Sequence, residues 1–255
     1  MISTRRCPGY GQVMSNSEPL PLAPGWVVVR YMPSEPASPE RAEENFALLS
    51  AEERRRYGRR TASAQAEFCS AHALLRRTLS LYADLKPGDW RFSPDAMGKP
   101  GIVNSPWDRS LHFNLSHTRG LVACVVAGDR DVGIDVETTL GSRRYSDLAD
   151  RVLSASERTR WKELPSTEQP AAFLDYWTLK EAHLKAEGTG IRSALDRLEF
   201  SLEGAEGAHC RAEADPGGRE RACHYLRLRP TENHRMAVAC NQAPPPRWDV
   251  SGLDP

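Results

Sequence analysis

The sequence predicts an α+β fold made of two similar halves, and three observations carry that expectation. Strand-like and helix-like stretches come in blocks, with helices giving way to several strands and the pattern then returning to helices. A nine-residue stretch recurs: Leu49–Tyr57 (LSAEERRRY) and Leu153–Trp161 (LSASERTRW) are identical at six positions, and the ninth is aromatic in both. The segments downstream of the two copies also match in kind. A long helical stretch contains Phe68 or Phe173 near its start, and a later strand reads Leu121-Val122-Ala123-Cys124 or Met236-Ala237-Val238-Ala239-Cys240. Two such halves are expected to pack about a pseudo-twofold axis, with the active site in the cleft between them, because domain interfaces are favoured ligand sites.

The elements run in order along the chain. Residues 1–25 carry Pro, Ser and Gly without periodicity and read as a loosely ordered segment. The N-terminal half is expected over 26–128. It opens with a strand at Trp26–Tyr31, then a proline-marked loop at Pro33, Pro36 and Pro39, then a helical stretch over 40–57. A longer helix is predicted over 64–84, with Phe68, Ala71, Leu75, Leu79 and Tyr82 on one face. A short strand at Trp90–Ser93 and a turn-rich stretch to Trp107 precede strands at Leu111–Leu115, Leu121–Ala127 and Val132–Val136. The C-terminal half is expected over 129–243. Ser154 with Glu157 forms a capping-box pattern, and a helix over 169–187 ends at Gly188 in the position that favours a left-handed residue. Strands are expected around 197–202, 223–229 and 235–240. Residues 244–255 begin with Pro244-Pro245-Pro246 and read as a tail outside the core.

Composition narrows the function. The 255 residues carry 34 Lys plus Arg against 34 Asp plus Glu, so a protein that coats nucleic acid is not expected, since phosphate binding needs a cationic excess. Mean hydropathy is −0.56 and no apolar run approaches the roughly 20 residues of a membrane helix. No apolar h-region comes after Arg5 and Arg6, so a secretory signal is not expected. The six cysteines are scattered without a C-x-x-C pair, and Cys69, Cys124 and Cys240 sit in apolar stretches as buried thiols would. A reducing, cytoplasmic compartment is the expectation.

Four polar segments could carry chemistry. In Trp177–Lys185, helical spacing puts Trp177, Glu181, Leu184 and Lys185 on one side, where a carboxylate one turn from a tryptophan is awkward for a purely solvating residue. An exposed i,i+4 Glu–Lys pair would look the same. In Val132–Glu137, strand alternation puts Asp135 and Glu137 on one face. Two such carboxylates repel unless a cation lies between them, and oxygen ligands suit Mg²⁺. A solvated strand end is the competing explanation. Phe113–Thr118 runs from a strand into a polar turn with Ser116 and His117, groups able to grip phosphate oxygens. Gly98-Lys99-Pro100 lacks the first glycine and the Ser/Thr of a Walker loop, yet could place Lys99 at a phosphate. No H-E-x-x-H and no G-x-S-x-G occurs, and His72 and His183 read as structural.

In order these segments read G-K-P, F-N-L-S-H-T, G-I-D-V-E and W-x-x-K-E-x-x-x-K-x-x-G-x-G, and with Leu195–Phe200 after them they closely resemble the 4′-phosphopantetheinyl transferase superfamily in its longer, surfactin-synthetase-activating branch. The resemblance runs from about Leu49 to Phe200. It implies a pseudo-dimer of two α+β halves in one chain, and hence a monomer. It also implies transfer of 4′-phosphopantetheine from coenzyme A to a serine of an acyl or peptidyl carrier protein, leaving 3′,5′-adenosine bisphosphate. By the family pattern Asp135, Glu137 and Glu181 would hold Mg²⁺, with Mn²⁺ as a substitute. Glu181 would take the serine proton and Lys185 would stabilise charge on the pyrophosphate. Ser116, His117 and Lys99 would contact coenzyme A phosphates. Many relatives carry a basic residue in the stretch matching Gln65-Ala66-Glu67-Phe68. This chain has Glu67, so Arg56, Arg59 and Arg60 become the candidates for the adenosine 3′-phosphate. Carrier proteins are acidic around the modified serine, which makes Arg143, Arg144 and Arg151 candidates for a docking surface, with a solvated loop and helix start as the competing explanation. The W-x-x-K-E form leans towards members that serve polyketide and nonribosomal peptide synthetases. A metal-dependent phosphatase or nuclease and a non-catalytic coenzyme A-binding module are the competing classes. The charge balance and the intact carboxylates weigh against them.

Overall fold

The computed structural model describes residues 2–3, 22–36, 38–95, 98–106, 111–141, 145–188, 195–202, 223–241 and 244–254. Most of the expected loose N-terminal segment, Trp107, Gly190, Arg143, Arg144, Cys7 and Cys210 lie outside the described residues. The chain divides into two compact units, residues 1–130 with 246–255 and residues 131–245.

The first unit is a five-stranded sheet with helices packed on it. Its strands are β1 (Ile2–Ser3), β2 (Trp26–Pro33), β5 (His112–Thr118), β6 (Leu121–Ala127) and β10 (Arg247–Gly252), in the order β1-β10-β2-β6-β5. A small hairpin pairs β3 (Phe92–Pro94) with β4 (Pro100–Ile102). The helices are α1 (Pro39–Ala47), α2 (Ala51–Tyr57) and α3 (Ala62–Ser80). Alternation along the strands puts Val28 and Met32 of β2 and Val122, Cys124 and Val126 of β6 on one face. There they pack against Ala71, Leu74, Leu75 and Leu79 of α3. Burial pushes the Cys69 and Cys124 thiols up to about 11, as expected of structural cysteines.

Two expectations about this unit need correction. The helical stretch over 40–57 is two helices, because Ser50 caps α2: its hydroxyl accepts from the Glu53 amide while Glu53 accepts from the Ser50 amide. Residues 244–255 are not a tail outside the core. Strand β10 runs parallel to β2 from Arg247 opposite Trp26 to Gly252 opposite Tyr31. Trp248 is fully buried, and Asp249 meets the buried Arg30 guanidinium at 2.8 Å. The alternating run Arg247-Trp248-Asp249-Val250 is a strand pattern hidden behind three prolines. Its partner lies more than two hundred residues away, as the Arg30–Asp249 separation of 219 shows.

The second unit is an antiparallel sheet ordered β7-β9-β8, from β7 (Val132–Thr138), β8 (Cys223–Leu228) and β9 (His234–Asn241). It carries α4 (Ser146–Val152), α5 (Ala155–Glu163) and α6 (Gln169–Glu187). Helix α6 ends at Gly188 with φ 71°, the left-handed position a glycine adopts without strain. On the face of the sheet towards α6 the residues are small: Gly133 on β7, Ala237 and Ala239 on β9. A Cβ on Gly133 would lie 2.1 Å from the Ala182 carbonyl oxygen, so only glycine lets α6 lie this close to β7.

The same side-chain device recurs in each unit. In the second, Glu157 closes the capping box with Ser154, and its Oε2 accepts from Lys180 Nζ at 2.6 Å, a residue 23 positions later on α6. In the first, Glu53 Oε2 accepts from Arg76 at 2.8 Å, also 23 positions later, on α3. Both recipient helices are 19 residues long. Lys180 Nζ further donates to the carbonyls of Val152, Leu195 and Leu198 at 2.7–2.9 Å, and Glu157 Oε1 accepts from the Phe200 amide. These contacts explain a third difference. In place of the strand expected over 197–202, Leu195–Arg197 form a 3-10 turn and the strand is reduced to a single bridge at Phe200, because the Leu195 and Leu198 carbonyls and the Phe200 amide serve the buried pair.

Both buried pairs can be tested in solution. Lys180→Ala strands the buried Glu157 carboxylate and costs about 3–5 kcal/mol, read from urea denaturation. Burial raises the Glu53 carboxyl, but the adjacent His72 and the Arg76 charge outweigh it and hold it at about 2. A carboxyl depressed on folding stabilises above its ordinary range and loses that contribution as pH falls. The difference in urea midpoint between wild type and Glu53→Gln is therefore expected to shrink steadily from about pH 5 to about pH 2.

Candidate functional site

In the second unit the close approach at Gly133 puts the middle of α6 against the carboxylates of β7. Lys185 Nζ donates to Asp135 Oδ1 at 2.6 Å and to the Ile134 carbonyl at 3.0 Å. Glu181, one turn earlier, is buried at 8 % exposure, and its carboxyl is close enough to Asp135 to feel its charge. Burial pushes the Glu181 carboxyl up from the ordinary range, and the Asp135 charge pushes the same way. The Lys185 ammonium opposes both. Oε1 of Glu181 is buried and has no hydrogen-bond partner among the described residues.

Glu137 sits two residues beyond Asp135 on the same face, half-buried at the end of β7 and opposite Arg235 of β9. Among the described residues, no three His, Cys, Asp or Glu side chains are gathered as metal ligands. The expected trio of Asp135, Glu137 and Glu181 is thus spread along the strand and helix, with Lys185 on one Asp135 oxygen. The donor chemistry nevertheless fits a hard cation. Two neighbouring carboxylates face one ammonium, and one of them, Glu181, has a buried oxygen with no hydrogen-bond partner among the described residues.

Trp177 belongs to the core of the unit, its ring stacked on Phe173 at 6.2 Å. His183 is structural, as expected: its Nδ1 pairs with the Tyr225 hydroxyl at 2.7 Å. Arg151 stands in the last turn of α4.

The remaining candidates belong to the first unit. Ser116 and His117 are consecutive on β5, so their side chains leave the sheet on opposite faces. The Ser116 side chain is buried, whereas the His117 ring emerges one-third exposed beside α3, its Nδ1 3.2 Å from Glu67 Oε2. Their side chains therefore cannot grip one phosphate from the same face. Lys99 lies in the tight turn between β3 and β4. Its amide donates to Asp95 Oδ1 at 2.9 Å, and Gly98 takes φ 88°. Arg56 and Arg60 place their guanidinium groups over the Phe68 ring, at 5.7 and 4.5 Å from its centre, and Arg59 is exposed.

Three roles escape a reading of the sequence. Lys180 is one letter of a motif there, and only its spacing from Glu157, shared by Arg76 and Glu53, marks it as a buried partner. Gly133 gives no local sign of the close approach it permits. Glu67 stands out only as a missing base, and nothing local pairs it with His117, which lies 50 residues away.

Comparison with known proteins extends this picture. The sequence model of the 4′-phosphopantetheinyl transferase superfamily matches residues 131–239. The chain is 34% identical over 172 residues to the 4′-phosphopantetheinyl transferase HetI of a Nostoc strain, spanning 68% of this chain and 69% of HetI. It is 30% identical over 168 residues to the 4′-phosphopantetheinyl transferase Sfp of Bacillus subtilis, spanning 66% of this chain and 72% of Sfp. It also aligns with a holo-(acyl-carrier-protein) synthase from Bacillus anthracis, solved in complex with CoA (3′,5′-ADP), at 20% identity and a TM-score of 0.38. That alignment covers 45% of this chain and 96% of the synthase. With two-thirds of each of two relatives matched at this identity, and with the family's sequence model matching the segment that holds Asp135, Glu181 and Lys185, the chain belongs to the 4′-phosphopantetheinyl transferase superfamily.

Proposed function

We propose that this protein transfers the 4′-phosphopantetheine arm of coenzyme A to a serine of an apo carrier protein, releasing 3′,5′-adenosine bisphosphate. The observation that carries the reading is the Asp135–Lys185–Glu181 cluster behind Gly133, in a chain of this family. Glu181 is the base. Burial and the Asp135 charge raise its proton affinity, which suits a carboxylate that must accept a proton from a serine hydroxyl. The β-phosphorus to oxygen bond to the adenosine part of coenzyme A breaks as the serine oxygen bonds to that phosphorus. Lys185, held in place by Asp135 and the Ile134 carbonyl, donates to the pyrophosphate oxygens as charge grows on the leaving bisphosphate. Asp135 and Glu181, with Glu137 beside them, would hold Mg²⁺ or Mn²⁺, and the cation would neutralise pyrophosphate charge.

His117 and Lys99 are assigned to coenzyme A phosphates. Ser116, whose hydroxyl is buried, is assigned to the same region. Arg56, Arg59 and Arg60 are assigned to the adenosine 3′-phosphate. Arg151, with Arg143 and Arg144, is assigned to an acidic carrier surface. A doubled pair of capping boxes and buried ion pairs supports descent of the two units from one repeated unit, and hence action as a monomer. We place the protein in the cytoplasm. Among the described residues no helix is long and apolar enough to cross a membrane.

Mass spectrometry of apo carrier proteins incubated with coenzyme A and Mg²⁺ is expected to show the gain of one phosphopantetheine on serine, and its absence across acyl and peptidyl carriers overturns the reading. Glu181→Gln is expected to lower turnover by about 10²–10⁴-fold. Its thermal midpoint should be equal to or above that of the wild type, because a neutral amide removes repulsion with Asp135. EDTA should stop transfer and added Mg²⁺ restore it, measured by the same mass gain.

A further inference from the structure

We propose that Glu67 is the positioning residue of His117 and couples phosphate binding to the uptake of one proton. The proposal rests on the assignment of His117 to a coenzyme A phosphate. The geometry carries the rest. Glu67 Oε2 lies 3.2 Å from His117 Nδ1, and Ser63 donates to the other carboxylate oxygen at 3.4 Å from one turn earlier on α3. A carboxylate only accepts, so the proton in this contact sits on Nδ1. The outer nitrogen, Nε2, is then a bare lone pair whenever the ring is neutral, and a lone pair repels a phosphate oxygen. Only the doubly protonated ring donates on both sides. Phosphate arriving at Nε2 therefore brings a proton with it, and the imidazolium ends between two anions.

No other described group packed against β5 takes Glu67's place at Nδ1. On α3, His72 and Arg76 are held by Glu53, while Arg77 donates to Asn45 and lies 3.8 Å from Glu44. On β6 the one ionisable side chain is Cys124, which donates to Thr78. Strand β4 carries none, and Lys99 precedes it. On β5 itself His112 stands at the opposite end, near enough to Asp129 to help hold that carboxyl down. Arg119 comes next in the turn, and Arg56 and Arg60 lie over the Phe68 ring next to Glu67. Glu67 thus reverses what its charge alone suggests. It does not repel the phosphate outright but chooses which ring nitrogen faces it.

The test begins with the free protein, labelled at histidine nitrogen. Imidazole NMR of the wild type is expected to show His117 with its neutral-form proton on Nδ1, and Glu67→Ala to move it to Nε2. Glu67→Gln, whose amide oxygen still accepts from Nδ1–H, should keep the wild-type tautomer. Calorimetric titration with coenzyme A in two buffers of different ionisation heat should show about one proton taken up per coenzyme A at pH 8 in the wild type and in Glu67→Gln, and less in Glu67→Ala, whose neutral ring already donates from Nε2. In steady state, the KM for coenzyme A should rise with pH in the wild type and rise less in Glu67→Ala. The shift should fall on KM far more than on kcat. An unprotonated Nδ1 in the wild type, or a Glu67→Ala variant with unchanged tautomer and unchanged proton count, overturns the inference. If the wild type transfers phosphopantetheine normally in that case, only the role of Glu67 falls. If the wild type does not bind coenzyme A, the function assigned above falls as well.

Discussion

The second unit depends on one buried ion pair. Lys180 and Glu157 are both fully inaccessible to water, an arrangement that costs several kcal/mol per ion unless every lone pair and proton is met. Here they are met. The ammonium has four acceptors, and the carboxylate has Lys180 and two backbone amides. Those partners come from the end of α4, the start of α5, the middle of α6 and the 195–200 turn. Four separate segments are therefore pinned by one point of charge. The next residue on α6, about 100° further round the helix, is Glu181. The lysine that locks the helix into the core thereby sets the direction in which the candidate base looks.

The site uses the opposite logic. Where the Glu157–Lys180 pair is balanced, Asp135, Glu181 and Lys185 bring two negative charges against one positive. Burial, and after it the Asp135 charge, raises the proton affinity of Glu181, one of whose oxygens has no protein partner among the described residues. A protein keeps such a cluster only if something else completes it, and a divalent cation with a pyrophosphate is what the proposed reaction supplies. Gly133 is the steric condition: without its missing side chain, α6 could not bring Glu181 and Lys185 to β7.

The first unit shows the same framework turned to another use. Its pair, Glu53 with Arg76, sits at the same 23-residue spacing, and His72 adds a second base against the carboxylate. The phosphate contact proposed for this unit lies at its rim, where β5 delivers His117 beside Glu67.

Much of this is legible in the residue order, and particular residues show why. The helix over 169–187 and its left-handed Gly188 are readable, because period and capping are local properties of consecutive residues. So are the strand carrying Asp135 and Glu137 and the capping box at Ser154. The family motif names Glu181 and Lys185 as a pair. Contacts between residues far apart in the chain are not legible. The strand at Arg247–Gly252 needs a parallel partner at the other end of the chain. The buried role of Lys180 needs four acceptors from three other segments, and the pairing of His117 with Glu67 needs a sheet and a helix to meet. Local rules of period, capping and motif are therefore enough for the elements, their order and the kind of chemistry. Which charges are balanced and which are left to act emerges only when the chain is folded, because a charge's cost and use depend on what burial brings within a few ångströms of it.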